Sequence, residues 1–124
     1  MTNYNGQVQA SGARTTSGFS ATQINRDCTG VVLEISTTAN SGTDQTLVVK
    51  VQGSTNGTDW YDIPGASTPT INSNGDTFLT VRPGVTVVAN SSVAQAIPRL
   101  WRVAWTIAGT TPSFTFSVDA AMLQ

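Results

Sequence analysis

The chain has no histidine and a single cysteine, Cys28. Without an imidazole, a Ser-His-Asp or Cys-His constellation lacks its general base. A zinc centre would have to be built from one thiolate and scattered carboxylates. One cysteine also excludes an internal disulfide. Charge is scarce too: Asp, Glu, Lys and Arg make up 10% of the residues, against roughly 25% in ordinary soluble domains. The six basic and seven acidic residues are spread along the chain, for a net charge of -1. No basic cluster is present to neutralise phosphates, so nucleic acid is not an expected partner. No apolar run approaches the roughly 18–20 residues that cross a bilayer. The start MTNYNGQVQA shows neither a charged n-region nor an apolar h-region. The expectation is a soluble protein made and kept in a reducing cytoplasm, with no membrane contact and no cofactor.

What is present is polar without being charged. Ser, Thr, Asn and Gln must supply most of the surface of a 124-residue chain that is 39% hydrophobic and long enough for one core. Such a surface lacks long-range repulsion and suits a component packed closely among copies or partners.

Period-two alternation, the signal of strands half-buried on one face, begins after Cys28. In GVVLEIS, Val31, Leu33 and Ile35 share a face; in QTLVVKVQG, Leu47, Val49 and Val51 do. RLWRVAWTIAG aligns Trp101, Val103, Trp105 and Ile107, and PSFTFSVDA aligns Phe114, Phe116 and Val118. Weaker strand candidates lie at residues 18–24, 60–63, 76–81 and 85–89. Between them stand TTANSGTD, STNGTD, PGASTPTINSNGD, RPG and AGTTP, all turn chemistry. The pattern predicts an all-β antiparallel β-sandwich of seven to eight short strands, immunoglobulin-like or jelly-roll, with Leu33, Leu47, Val49, Trp105, Phe114 and Phe116 in its core. Residues 28–124 form this domain. Residues 1–27 have only Tyr4, Val8, Phe19 and Ile24 as apolar anchors and read as an extended N-terminal arm, with one short strand at most, that is either a disordered leader or orders against a neighbouring subunit.

The most motif-like passage is VVKVQGSTNGTDWYDIPG, residues 48–65. Its Asn56-Gly57 pair predicts a type I′ turn, in which both central residues take positive φ, folding residues 47–53 back onto 59–63. The order Ser54, Asn56, Gly57, Trp60 is similar to the Asp-box of sialidase propellers. Asn replaces Asp, one residue is missing and the pattern is not repeated, so a structural turn is the better reading. Trp101 and Trp105 share the core face, whereas Trp60 follows a turn and its place is open. Asp59, Asp62 and Asp76 are in principle an acid/base set, but their positions beside turns suit solvated roles. Cys28, with only Arg26 nearby to lower its pKa, reads as a small buried or interface residue. Arg82, Arg99 and Arg102 hold half the basic charge and lie on or beside strands. They are either interface groups or outward charges that discourage edge pairing. With Tyr4, Arg14 and Phe19 they make up the candidate interface set. The expectation is no enzyme.

From about residue 31 to 123, the pieces VVLEIST, LVVKVQGSTNGTDWYDIPGA, NGDTFLTVRPG, IPRLWRVAWTIAGTTPSFTFSV and AAML give an order of elements that resembles a family of small tailed-phage virion proteins encoded among head genes. The resemblance implies a capsid decoration, or cement, protein on the capsid surface of a bacteriophage virion, assembled in the host cytoplasm. It would bind the major capsid protein, often as a homotrimer at three-fold positions, and clamp adjacent capsomers. The competing reading is a receptor- or glycan-binding module of a tail or head fibre, marked by an exposed aromatic platform.

Overall fold

Val31, Leu33 and Ile35 belong to the same strand as Leu47, Val49 and Val51, and Trp101 to the same strand as Phe116. In the computed structural model, which describes residues 5–124, the strands are β1 (Asn5–Arg14), β2 (Gly18–Phe19), β3 (Gln23–Ile24), β4 (Gly30–Ser54), β5 (Trp60–Ser67), β6 (Gly75–Val81), β7 (Ser92–Val93) and β8 (Leu100–Leu123). No helix forms among the described residues. All eight strands join one sheet in the order β1-β8-β4-β6-β7, with β2 and β3 also on β8 and β5 on β4. Among the described residues, only β6 and β7 pair in parallel.

The axis of the fold is the pairing of β4, 25 residues long, with β8, 24 residues long, from Gly30↔Leu123 to Ser54↔Leu100. This ribbon is doubled over. Trp105 and Phe116 are 11 positions apart, a span of about 36 Å along a straight strand, yet their ring centroids lie 5.5 Å apart. The bend falls where the pairing slips between Thr37 and Thr46. There Gly42 (φ 125°), Asp44 (53°), Gly109 (121°) and Thr111 (50°) take positive φ. Gly42 and Gly109 are required for a second reason: a Cβ on Gly42 would lie 2.9 Å from Thr111 O, and one on Gly109 2.8 Å from Gln45 Cα. The segments TTANSGTD and AGTTP were expected to be turns between separate strands. They are facing bulges that bend one ribbon, because the same backbone chemistry serves a tight turn or a bulge.

The slips leave a net offset of one residue. Ile35 faces Val118 in one half, Val49 faces Trp105 in the other, so the inward face of β8 passes from odd to even positions, with the half-buried Ile107 and the small, exposed Ala108 at the switch. The halves close on a single core that includes Leu33, Leu47, Val49, Phe114 and Phe116, each 0% exposed, and Trp105 at 7%. The all-β fold is as expected; its layers are the two halves of one bent sheet, a corner device known in all-β proteins.

Two expectations about the N-terminal segment are corrected. Of the proposed arm, residues 5–14 form a ten-residue strand on β8, and residues 18–24 add β2 and β3 on the same strand. This chain's own sheet takes their backbone bonds. The segment needs few apolar anchors because its hydroxyls complete the ladder: Ile107 N donates to Ser17 Oγ (2.9 Å) and Val103 N to Ser20 Oγ (3.0 Å). Asn25, buried, donates to the carbonyls of Cys28 (2.7 Å) and Ile97 (3.1 Å).

Elsewhere, residues 85–89 do not form the expected strand; Val87 and Val88 are 64% and 53% exposed, and the pairing role passes to β7. The expected hairpin forms, with Ser54↔Trp60 closing it, but over a longer loop than a type I′ turn. Only Gly57 has positive φ there (81°). The Asn56 side chain organises the loop instead, its Oδ1 accepting from Thr58 N and Asp59 N, both at 2.8 Å.

Candidate functional site

In the half formed by β2, β5, the end of β4 and the start of β8, the register sets Phe19 beside Ala104, Arg102 beside Gln52, and Gln52 beside Asp62. Alternation turns these side chains away from the core, to the face that also carries Lys50 and Trp60. Phe19 reaches Arg102 from the β2 flank and Trp60 from the β5 flank. The Arg102 guanidinium carbon lies 3.9 Å from the Phe19 ring centroid and 4.3 Å from that of Trp60, both within cation–π range. Its Nε donates to Gln52 Oε1 at 2.8 Å. Gln52 Nε2 in turn donates to Asp62 Oδ1 (2.9 Å), and Lys50 Nζ donates to Asp62 Oδ2 (3.0 Å).

This polar row has clear electrostatics. The hydrogen bond from Gln52, then that from Lys50, holds the Asp62 carboxyl below its usual range, against a smaller opposing effect of burial. Burial lowers the Arg102 pKa, but a guanidinium starts so high that it stays a cation. The result is a fixed cation between two rings, one of them, Phe19, 60% exposed. Arg, Trp and Phe are the residues that anchor protein interfaces, and an anchor whose rotamer is already set loses little entropy on binding.

Of the candidate interface residues, the structure brings Phe19 and Arg102 together and adds Trp60, whose place the sequence left open. Arg14 is elsewhere: it donates to the carbonyls of Gly12 (2.9 Å), Phe116 (2.8 Å) and Ala10 (2.6 Å) around the two slips in the β1–β8 pairing. Its guanidinium also covers Phe116 and Trp105, at 4.5 and 5.1 Å, so it secures the β1 bulge. Arg82 is exposed and donates to Gln124 O at 3.3 Å. Arg99 is exposed, near the start of β8. Tyr4 lies outside the described residues.

The three aspartates are not brought together as an acid/base set. Asp59 accepts from Asn56 Nδ2 (3.0 Å) in the loop, Asp62 is engaged by Gln52 and Lys50, and Asp76 pairs with Ser36 in the other half of the sheet. Cys28 is half-buried against the core. The sequence signal that was legible is the outward parity of Lys50, Gln52 and Arg102. The meeting of Phe19, Trp60 and Arg102 was not, because their strands are distant in the chain. No protein-family model, curated protein or solved structure matches the chain.

Proposed function

We propose that the chain is a structural virion protein that binds the outer surface of a phage capsid and stabilises it by clamping adjacent capsid subunits. The observation that carries this reading is the Phe19–Arg102–Trp60 stack, an interface anchor fixed on a sheet. The weakly charged surface is consistent with close packing among copies, and the resemblance of residues 31–123 to small phage head proteins supplies the class of partner, the major capsid protein. Assembly would take place in the host cytoplasm, with a trimer as the expected copy state.

The mechanism is additive contact. Each copy bridges more than one capsid subunit, each contact is weak alone, and the lattice multiplies them into large effective avidity. A glycan-binding fibre module fits the stack less well. A sugar platform needs several open ring faces; here the Arg102 guanidinium takes one face of each ring and Trp60 is half-buried, which leaves Phe19, 60% exposed, as the one largely open ring of the stack.

Electron microscopy of particles with and without the protein tests this directly. The chain should decorate assembled capsids and bind unassembled capsid protein poorly, and Arg102→Ala should lower both occupancy and the resistance of particles to heat. A chain that leaves capsids bare and binds cells or glycans would replace this reading with the fibre module.

A further inference from the structure

The outer face of the other half carries a concavity of about 470 Å³, lined by Gln7, Val32, Glu34, Phe78, Asp119 and Ala121 among others. Glu34 and Asp119 stand directly opposite each other on β4 and β8, and Phe78, beside Glu34 on β6, is 56% exposed. Like charges at directly opposed positions destabilise a sheet. Among the described residues the one ion pair is Lys50–Asp62, so neither carboxylate has a cation. The concavity is acidic, partly apolar and in want of a positive charge.

The chain itself carries a matching group. Among the described residues, Arg102 hydrogen-bonds through its Nε to Gln52, and its terminal nitrogens make no such bond. They form the fork that binds carboxylates. We infer that the concavity receives the Phe19–Arg102–Trp60 stack of a second copy, with Arg102 shared between Glu34 and Asp119 and the stack's rings against Phe78 and Val32. Outward residues of β4 are even-numbered in both halves, and the halves meet through their odd faces. Stack and concavity therefore face away from each other across the core. The contact joins two different surfaces, so it repeats head to tail, closing as a ring or continuing as a filament.

The inference rests on the stack being an interface anchor, and not on the capsid being its partner; association measured with no capsid present keeps the two apart. Sedimentation equilibrium at low salt, up to about 1 mM protein, should show self-association that weakens as salt is added. Arg102→Glu and Glu34→Lys, each confirmed as folded by circular dichroism, should each raise the dissociation constant at least about tenfold. If either fails to fold, Arg102→Gln and Glu34→Gln serve the same purpose. Mixed together, the neutral variant Arg102→Gln and Glu34→Lys should form a one-to-one pair and nothing larger, because the mixture holds one intact stack and one intact concavity and the altered surfaces have no complementary charges. A wild-type chain that stays monomeric, an assembly indifferent to Arg102→Glu, or a mixture that stays monomeric would overturn the inference. So would a monomeric chain whose concavity instead takes up a synthetic Arg-Leu peptide, which would give the groove to another partner.

Discussion

Replacing Trp105 with alanine tests the doubled-over sheet at the point where its halves meet. The ring is 7% exposed, packs edge-on against Phe116 at 5.5 Å and lies 5.1 Å from the Arg14 guanidinium. The backbone of β2 rests on it, since a Cβ on Gly18 would come within 3.1 Å of the ring. Truncating a buried Trp costs about 3–5 kcal/mol. The loss here should be near the upper end, because the edge-on pair and the cation–π contact are each worth about 1 kcal/mol beyond area. The indole Nε1 bond to Thr16 O (3.2 Å) adds little, as Thr16 is exposed and water can replace the donor. About 4–5 kcal/mol is a large part of the roughly 6–19 kcal/mol available to a chain of this length, and would lower Tm by about 15 °C. Urea unfolding followed by far-UV circular dichroism reads the change without depending on the deleted fluorophore. Trp105→Phe, which keeps most of the contact, should lose only about 1–2 kcal/mol. Half-buried Trp60→Ala should be milder than Trp105→Ala. A loss below about 2 kcal/mol for Trp105→Ala, or one no greater than that of Trp60→Ala, would mean that the halves do not meet as described.

Deleting residues 1–14 should not leave the rest of the fold intact. It removes β1, the Arg14 contacts and Val8 from the core margin and bares the β8 edge from Phe114 to Ala121, so aggregation and a lower melting point are expected; a truncated chain that melts like the full one would show β1 to be dispensable. Asp62 should titrate below the usual carboxylate value of about 3.9, because Gln52 and then Lys50 stabilise its charged form. Its folded pKa is depressed, so its contribution to stability is complete above the unfolded value and lost as pH falls through the folded one. With 58% of the side chain exposed, screening holds that contribution to about a few tenths of a kcal/mol, and carboxyl NMR is the suitable measurement. Gln52→Ala and Lys50→Ala should each move the midpoint back toward the usual value, and an ordinary midpoint in the wild type would contradict the hydrogen-bonded row.

Alternation by itself determined most of the buried set, though on β8 Ile107 of the core face is only half-buried and Ala104 of the opposite face is buried. Val31, Leu33 and Ile35, Leu47, Val49 and Val51, Trp101, Val103 and Trp105, and Phe114, Phe116 and Val118 all lie inside as their spacing requires, since a strand places every second residue on one face whatever it pairs with. The Asn56-Gly57 hairpin was legible for a similar reason, its partners being near in the chain. Tertiary structure alone decided that four apparent strands are two. Gly42 and Gly109 announce positive φ, but whether that makes a turn or a bulge depends on the facing strand, more than sixty residues away. It also decided that the polar N-terminal segment is part of the sheet, because the ladder bonds that hold β1–β3 come from β8 at the opposite end of the chain. The stack of Phe19, Arg102 and Trp60 and the facing of Glu34 and Asp119 have the same origin. Each joins residues that local preference cannot relate, brought into contact only when the long ribbon pairs and folds over.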